Sequence, residues 1–401
     1  MEITSTPKSV LSWTIILFVV FLTIGTGLSL QKLLWTDELF TQTHTIDPIG
    51  YQEILTGQFS EGNLCPLYYL IQKSVCIAFH YKLPFHWIGE NSVYEPSSQW
   101  ILRIPANIFM SLALALIFWF FARYYSLGAG WFALGVTLSS PIVWLYWVEA
   151  RPYGLWFLLT MIQLLFLLYS LRQPQSNRWI LLGSVHILLS LCIVLSAPQI
   201  LFVSLIFYLY KDRNPIKYLW ITALPLTVCY LYHLLSKQIY AWLPSTGIHN
   251  TPAFFSIPDL IHYASKHWNL FIAPNMPSLW LLFFGVGIMV TASSNKKTLD
   301  KKEALVFLVL LCSLFATAIL ILNFFRNFSS IPANNFSISE RYFIFLAPSG
   351  IITFVLLSLD LWNAFRDDRW LRLSIGAGIG GILLVSFIQT FFYIFSLGLY
   401  Q

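Results

Sequence analysis

Residues 102–122, LRIPANIFMSLALALIFWFFA, decide the fold class. Past Arg103 the stretch carries no charge, and at 1.5 Å per residue about 20 apolar residues cross the hydrocarbon core of a bilayer as one helix. Working outward, ten more stretches have the same character: 10–30, 128–148, 153–171, 179–196, 198–210, 217–236, 277–293, 304–324, 342–361 and 374–396. Two of them, 179–196 and 198–210, are short and meet at Ser196-Ala197-Pro198. The 401 residues are 57% hydrophobic and 17% aromatic, and only 10% are charged, against roughly a quarter in ordinary soluble proteins. This excludes a soluble enzyme, a disordered chain and a coiled coil. The expected fold is all-α: a polytopic integral membrane protein of about 11 transmembrane helices, with short amphipathic surface helices in its first outer loop. No internal repeat or hydrophilic domain interrupts it, so residues 1–401 read as one module. The first stretch reads as a retained anchor, since it has spanning length and no convincing small-residue cleavage site.

The formal charge of +6 follows membrane orientation rather than a nucleic-acid partner. With the N-terminus inside, the short cytoplasmic segments hold 14 of the 23 Lys and Arg residues, among them Arg123, Arg172, Lys217, Lys296, Lys297 and Arg369. The long outer segments are then 31–101, 237–276 and 325–341. The first contains a helix beginning at Asp47 as N-cap, with Pro48 at its first position and Gly57 as terminator. A second helical segment, 64–79 (LCPLYYLIQKSVCIAF), is interrupted by Gln72-Lys73-Ser74 and reads as lying along the membrane surface. Cys65 and Cys76 lie on that segment about 16 Å apart and cannot bridge.

No Asp, Glu, Lys or Arg falls near the middle of a span, which places any chemistry at the outer boundary. His186, the one ionisable residue at mid-span, reads as a histidine bonded to a neighbouring helix. Three constellations stand at that boundary. Trp35-Thr36-Asp37-Glu38 follows the first span; a carboxylate in a partly dry site can deprotonate a hydroxyl, and adjacent residues do not point the same way. On its own the pair also reads as a solvated acidic helix end. Glu149-Ala150-Arg151-Pro152-Tyr153-Gly154 opens the fourth span with Arg151 at a helix N-terminus, either a phosphate site or an Arg paired with Glu149. Glu340-Arg341-Tyr342, preceded by Arg326, is either a second anion clamp or an interfacial anchor. In 237–276, His262 and His267 are five apart, which is not the spacing of a helical metal pair, and they read as surface histidines.

In this order the residues resemble the C-type glycosyltransferase superfamily, specifically the bacterial branch related to protein O-mannosyltransferases and lipid A aminoarabinose transferase. The resemblance rests on the acidic pair in TDE at 36–38, PLYYL at 66–70, Arg103 at the start of the second span, ARPY at 150–153, and Arg341-Tyr342 with Pro348 downstream. It implies an inverting transfer of a sugar from a polyprenyl-phosphate carrier to a glycan, lipid or protein acceptor, at the periplasmic or exterior face of a bacterial cytoplasmic membrane. Under it, Asp37 would be the general base and Glu38 its support or a ligand for a divalent cation; no ligand set is legible, and neither a metal nor another cofactor is expected. Arg103, Arg151, Arg326 and Arg341 would neutralise the donor phosphate, and Tyr68, Tyr69, Tyr153 and Tyr342 would line the substrate groove, or serve only as packing aromatics. A polyprenyl-lipid flippase or transporter is the alternative, with inverted repeats and polar mid-membrane residues as its signature; a non-catalytic scaffold, in which Asp37 is dispensable, is a third.

Overall fold

Helix α1 (Pro7–Gln31) leads into a short α2 (Thr36–Thr41), a π-helical turn (Gln42–Ile46), α3 (Tyr51–Leu55), α4 (Pro66–Ala78) and a hairpin of β1 (Phe85–Ile88) with β2 (Asn91–Tyr94). Then come α5 (Gln99–Tyr124), α6 (Leu127–Leu138), α7 (Pro141–Tyr146), α8 (Tyr153–Arg172), α9 (Trp179–Ser190) and α10 (Ser196–Tyr210). The chain continues through α11 (Pro215–Tyr218), a second π-helical turn (Leu219–Ala223), α12 (Leu224–Leu235), α13 (Leu299–Phe328), α14 (Leu346–Ala364) and α15 (Arg369–Ser396). This computed structural model describes residues 7–32, 34, 36–58, 66–81, 85–88, 91–94, 99–172, 179–210, 215–235, 299–328, 344–365 and 369–396. The expected span 277–293, the loop 237–276 and residues Arg341 and Tyr342 lie outside the described residues; Arg326 falls within α13, its side chain outside them.

Apart from the hairpin, the described fold is helical. Among the described residues, five helical segments are long and apolar enough to cross a membrane: Lys8–Gln31, Gln99–Tyr124, Tyr153–Arg172, Leu346–Ala364 and Arg372–Phe392. Helix α5 is central, packing on α1, α4, α6 and α8, while α14 packs on α13, α6 and α8. Helix α8 is apolar all round, as a helix enclosed by others must be, and its side chains are nearly all buried. By contrast α1 and α15 turn apolar side chains such as Leu11, Ile15, Phe391 and Phe392 outward, which suits hydrocarbon as the surrounding medium.

Gly154, at the start of α8, shows how closely these helices approach. A Cβ there would lie 2.9 Å from the Ala106 carbonyl oxygen of α5, a backbone atom that cannot swing aside. Gly154→Ala is expected to cost about 1–3 kcal/mol, read as a lower unfolding temperature in detergent.

Three local expectations are corrected. The stretch 128–148 is not one helix: Ser139-Ser140 separates α6 from α7, because Pro141 forces Ser140 into an extended conformation (φ −86, ψ 117) and starts a new helix at its own position. The helix after Asp47 begins only at Tyr51, with Gly50 as its N-cap. Asp47 instead closes the first π-helical turn, its N–H bonding the Gln42 carbonyl at 3.0 Å and its carboxylate accepting from the Gln42 amide at 3.3 Å. Gly57 does end α3, in the left-handed region at φ 70. The first outer loop is not purely helical, since Phe85 pairs with Tyr94 and Ile88 with Asn91 in the antiparallel hairpin. Aromatic and β-branched residues (Phe85, Trp87, Ile88, Val93, Tyr94) dominate the two strands, as strand propensity favours.

Helix α4 is amphipathic as expected, burying Tyr68, Tyr69, Gln72 and Cys76. Burial, then the charge of Asp47, pushes the Cys76 thiol up to about 12, so it stays protonated.

Within the bundle, His186 joins a directional chain of hydrogen bonds. Trp156 Nε1 donates to Gln199 Oε1 (3.3 Å), Gln199 Nε2 to Gln163 Oε1 (2.6 Å), and Gln163 Nε2 to His186 Nε2 (2.8 Å). His186 Nδ1 then donates to the Ile221 carbonyl at 2.6 Å. The end point is set by Pro225, which has no N–H to offer the carbonyl four residues back. The helix passes through a π-helical turn there, and His186 takes up the released acceptor.

Candidate functional site

The site is built where α1 ends. The last carbonyls of a helix have no partner within it, and here two side chains of α5 supply them. Gln99 Nε2 donates to the carbonyls of Ser29 (3.1 Å) and Leu30 (3.0 Å), while Arg103 Nη1 donates to those of Ser29 (3.0 Å) and Lys32. A guanidinium at a helix C-terminus also meets the negative end of its dipole. The rest of the Arg103 fork meets Glu38: Nε to Oε1 at 3.0 Å and Nη2 to Oε2 at 2.6 Å, both side chains fully buried.

Glu38 also accepts the Ala150 N–H at 2.6 Å, so one carboxylate ties α2 to α5 and to the turn ahead of α8. Burial alone would raise its pKa. The Arg103 charge and hydrogen bonds, the Lys32 charge and the Ala150 N–H outweigh burial and hold the carboxyl below its ordinary range. Lys32, itself buried, donates to the Leu145 carbonyl at 3.2 Å. Its pKa is lowered by burial, against the pull of Glu149 and Glu38. The next peptide unit is held too: Gln72 of α4 donates to the Ala150 carbonyl at 3.2 Å and the Leu102 carbonyl at 3.1 Å.

Asp37 sits in the first turn of α2 beside Glu38 but is partly exposed. Successive helical residues are turned by about 100°, so burying Glu38 leaves Asp37 at the rim. Its carbonyl accepts from the Thr41 hydroxyl (3.0 Å) and from Arg151 Nη1 (3.5 Å); Arg151 Nη1 also donates to Thr41 Oγ1 at 2.5 Å. Tyr153 opens α8 two residues after Arg151, its ring 5.2 Å from that of Tyr146, and Tyr68 and Tyr69 pack edge to face at 5.6 Å on α4.

No family model matches this chain. No curated protein matches it either.

Four of the expected residues therefore come together: Asp37, Glu38, Arg103 and Arg151. Two are placed otherwise than expected. Arg103 is not at the mouth as a phosphate ligand, since its guanidinium is buried against Glu38 and two main-chain carbonyls. Glu38 is engaged by Arg103 and Ala150 rather than turned toward a cation. Among the described residues, no three His, Cys, Asp or Glu side chains converge as a metal site. Lys32, Thr41, Gln72 and Gln99 escaped the reading of the sequence. Gln72 had a signal: it falls four residues after Tyr68 and four before Cys76, on the buried stripe of α4.

Proposed function

We propose that the chain is a membrane glycosyltransferase of about eleven spans that moves a sugar from a polyprenyl-phosphate carrier to an acceptor at the outer, periplasmic face of the membrane. The observation that carries this reading is the division of labour in the acidic pair. Glu38 is locked in a buried bidentate ion pair, while its neighbour Asp37 stands partly exposed beside Arg151, at the end of the first span. A polyprenyl donor needs this position, because its chain stays in lipid while its headgroup is read at the surface.

In the proposed reaction, the Asp37 carboxylate takes the proton of an acceptor hydroxyl as that oxygen attacks the anomeric carbon from the face opposite the phosphate. The new C–O bond forms, the bond to the phosphate oxygen breaks, and its electron pair leaves with polyprenyl phosphate. The leaving group needs charge neutralisation rather than a proton; Arg151 supplies it, with Arg341 joining from the late outer segment. Glu38 and Arg103 hold α1, α2 and the 149–151 turn in register and do not touch the donor.

Arg151→Ala is expected to lower kcat/KM for the donor by about 100-fold, measured as donor consumption in proteoliposomes. The reaction itself is tested by supplying reconstituted protein with labelled polyprenyl-phosphate sugars and an envelope extract. The label should reach an acceptor with inverted anomeric configuration; a product with retained configuration would overturn the single displacement through Asp37.

A further inference from the structure

Helix α2 and the π-helical turn after it present two different surfaces around Asp37. Successive helical residues turn by about 100°, so Thr41 stands about 40° to one side of Asp37 and Phe40 about 60° to the other. On the first side Glu38, Thr41 and Gln42 are buried, and Arg151 reaches Thr41 and the Asp37 carbonyl there. On the second side Phe40, Thr43 and His44 are exposed. The Phe40 and His44 rings lie stacked, their centroids 4.1 Å apart and their planes 16° from parallel, with Phe40 40% exposed. His44 Nδ1 lies 2.8 Å from the Thr43 hydroxyl and 3.1 Å from the Phe40 carbonyl. The carbonyl can only accept, and the Thr43 hydroxyl donates to the Leu39 carbonyl at 2.9 Å, so Nδ1 carries the ring proton. In the neutral ring this leaves Nε2, on the opposite edge, as an acceptor. The stack is thus a flat apolar surface with one hydrogen-bonding edge. The exposed imidazole and Thr43 hydroxyl beside Phe40 suit water, not hydrocarbon, as the medium on this side. His44 also stands in the π-helical turn 42–46, a distortion that recurs at functional sites.

We infer that the Phe40–His44 stack is the acceptor subsite and that the acceptor is a glycan, one sugar ring of which lies on the stack and donates a hydroxyl to His44 Nε2. The inference rests on the reading of Asp37 as the base and names the acceptor class which that reading leaves open. In an inverting displacement the attacking hydroxyl and the departing phosphate lie on opposite faces of the transferred sugar. With the phosphate drawn to Arg151, the acceptor approaches from the other side of Asp37, and the stack is what it meets there. A pyranose fits that surface: its C–H face, weakly positive, rests on the negative face of an aromatic ring, while its hydroxyls reach the polar edge. A serine or threonine side chain has no such face to lay down.

The test gives full-length protein in proteoliposomes a labelled polyprenyl-phosphate sugar and an envelope extract, and sorts the products by linkage to carbohydrate, to a lipid headgroup or to protein. The label should become linked to carbohydrate, and that acceptor, purified unlabelled, then serves for kinetics. Phe40→Ala should raise the acceptor KM about tenfold, the scale of one ring contact, while the donor KM stays within about twofold of wild type. Phe40→Trp keeps a ring at this position and should hold the acceptor KM near the wild-type value. His44→Phe keeps the stack, removes the nitrogen and should raise the acceptor KM about fivefold. Label linked to protein or to a lipid headgroup overturns the inference while the donor reading stands. An acceptor KM unchanged in Phe40→Ala overturns it as well, as does an equal rise in the donor and acceptor KM, the result of a merely structural aromatic. A wild type that transfers no label to any acceptor overturns the donor reading and the inference with it.

Discussion

Glu38→Ala is expected to destabilise the protein by about 3–5 kcal/mol, the largest structural effect of any single change at the site. The cost does not come from a strong net attraction in the wild type. It comes from leaving the Arg103 guanidinium buried with no opposing charge, together with the loss of the Ala150 N–H partner. Arg103→Met should cost a similar amount, since it strands Glu38 and also releases the carbonyls of Ser29 and Lys32 at the end of α1. The double variant should recover part of the loss, because no buried charge is then unpaired, and a double-mutant cycle on detergent unfolding separates these contributions. The acid limb gives an independent check. The folded-state pKa of Glu38 lies below its unfolded value, so its contribution is fully present above about pH 4.3 and is lost as pH falls through the depressed folded pKa. Glu38→Ala should lack that part of the acid sensitivity. A Glu38→Ala protein as stable as wild type would mean that the ion pair does not anchor α2.

Asp37→Asn should behave in the opposite way. Its side chain is partly exposed, so stability should change by no more than about 0.5 kcal/mol. The asparagine cannot take a proton, and turnover of a polyprenyl-phosphate sugar should fall by about 10²–10⁴-fold, measured as donor consumed per folded protein. Adjacent carboxylates would thus give one variant that folds and does not turn over, and one that fails first in folding. Turnover of Asp37→Asn within a few-fold of wild type would remove Asp37 from the chemistry.

The helical, membrane-spanning character was legible because bilayer thickness sets helix length: five of the eleven expected spans, 10–30, 102–122, 153–171, 342–361 and 374–396, appear among the described residues as long apolar helices. What escaped was local. Pro141 cut 128–148 because a proline constrains the residue before it, a rule that hydropathy does not register. Asp47 looked like an N-cap from its neighbour Pro48, yet Gln42 and Asp47 bond each other through both backbone and side chain and close a π turn first. At the site, Asp37, Glu38, Arg103 and Arg151 were readable as charged residues at span boundaries. Their separate duties were not, because burial is decided by the direction of each side chain. Gln72 and Gln99 were hidden for a further reason: their partners are main-chain carbonyls, and a carbonyl has no residue type to mark it. His186 was readable as a bonded core histidine, though its partner on Ile221 was exposed only by Pro225 four residues on.

The most direct test of the central claim is the fate of the carrier lipid. Wild-type protein in liposomes is given a polyprenyl-phosphate sugar and an envelope acceptor, and the lipid is recovered and resolved into loaded and bare forms on each leaflet. Transfer at the outer boundary predicts that bare polyprenyl phosphate accumulates as the sugar leaves it. Loaded lipid that changes leaflet with its sugar still attached, and no bare carrier released, would contradict the account and mark the protein as a transporter.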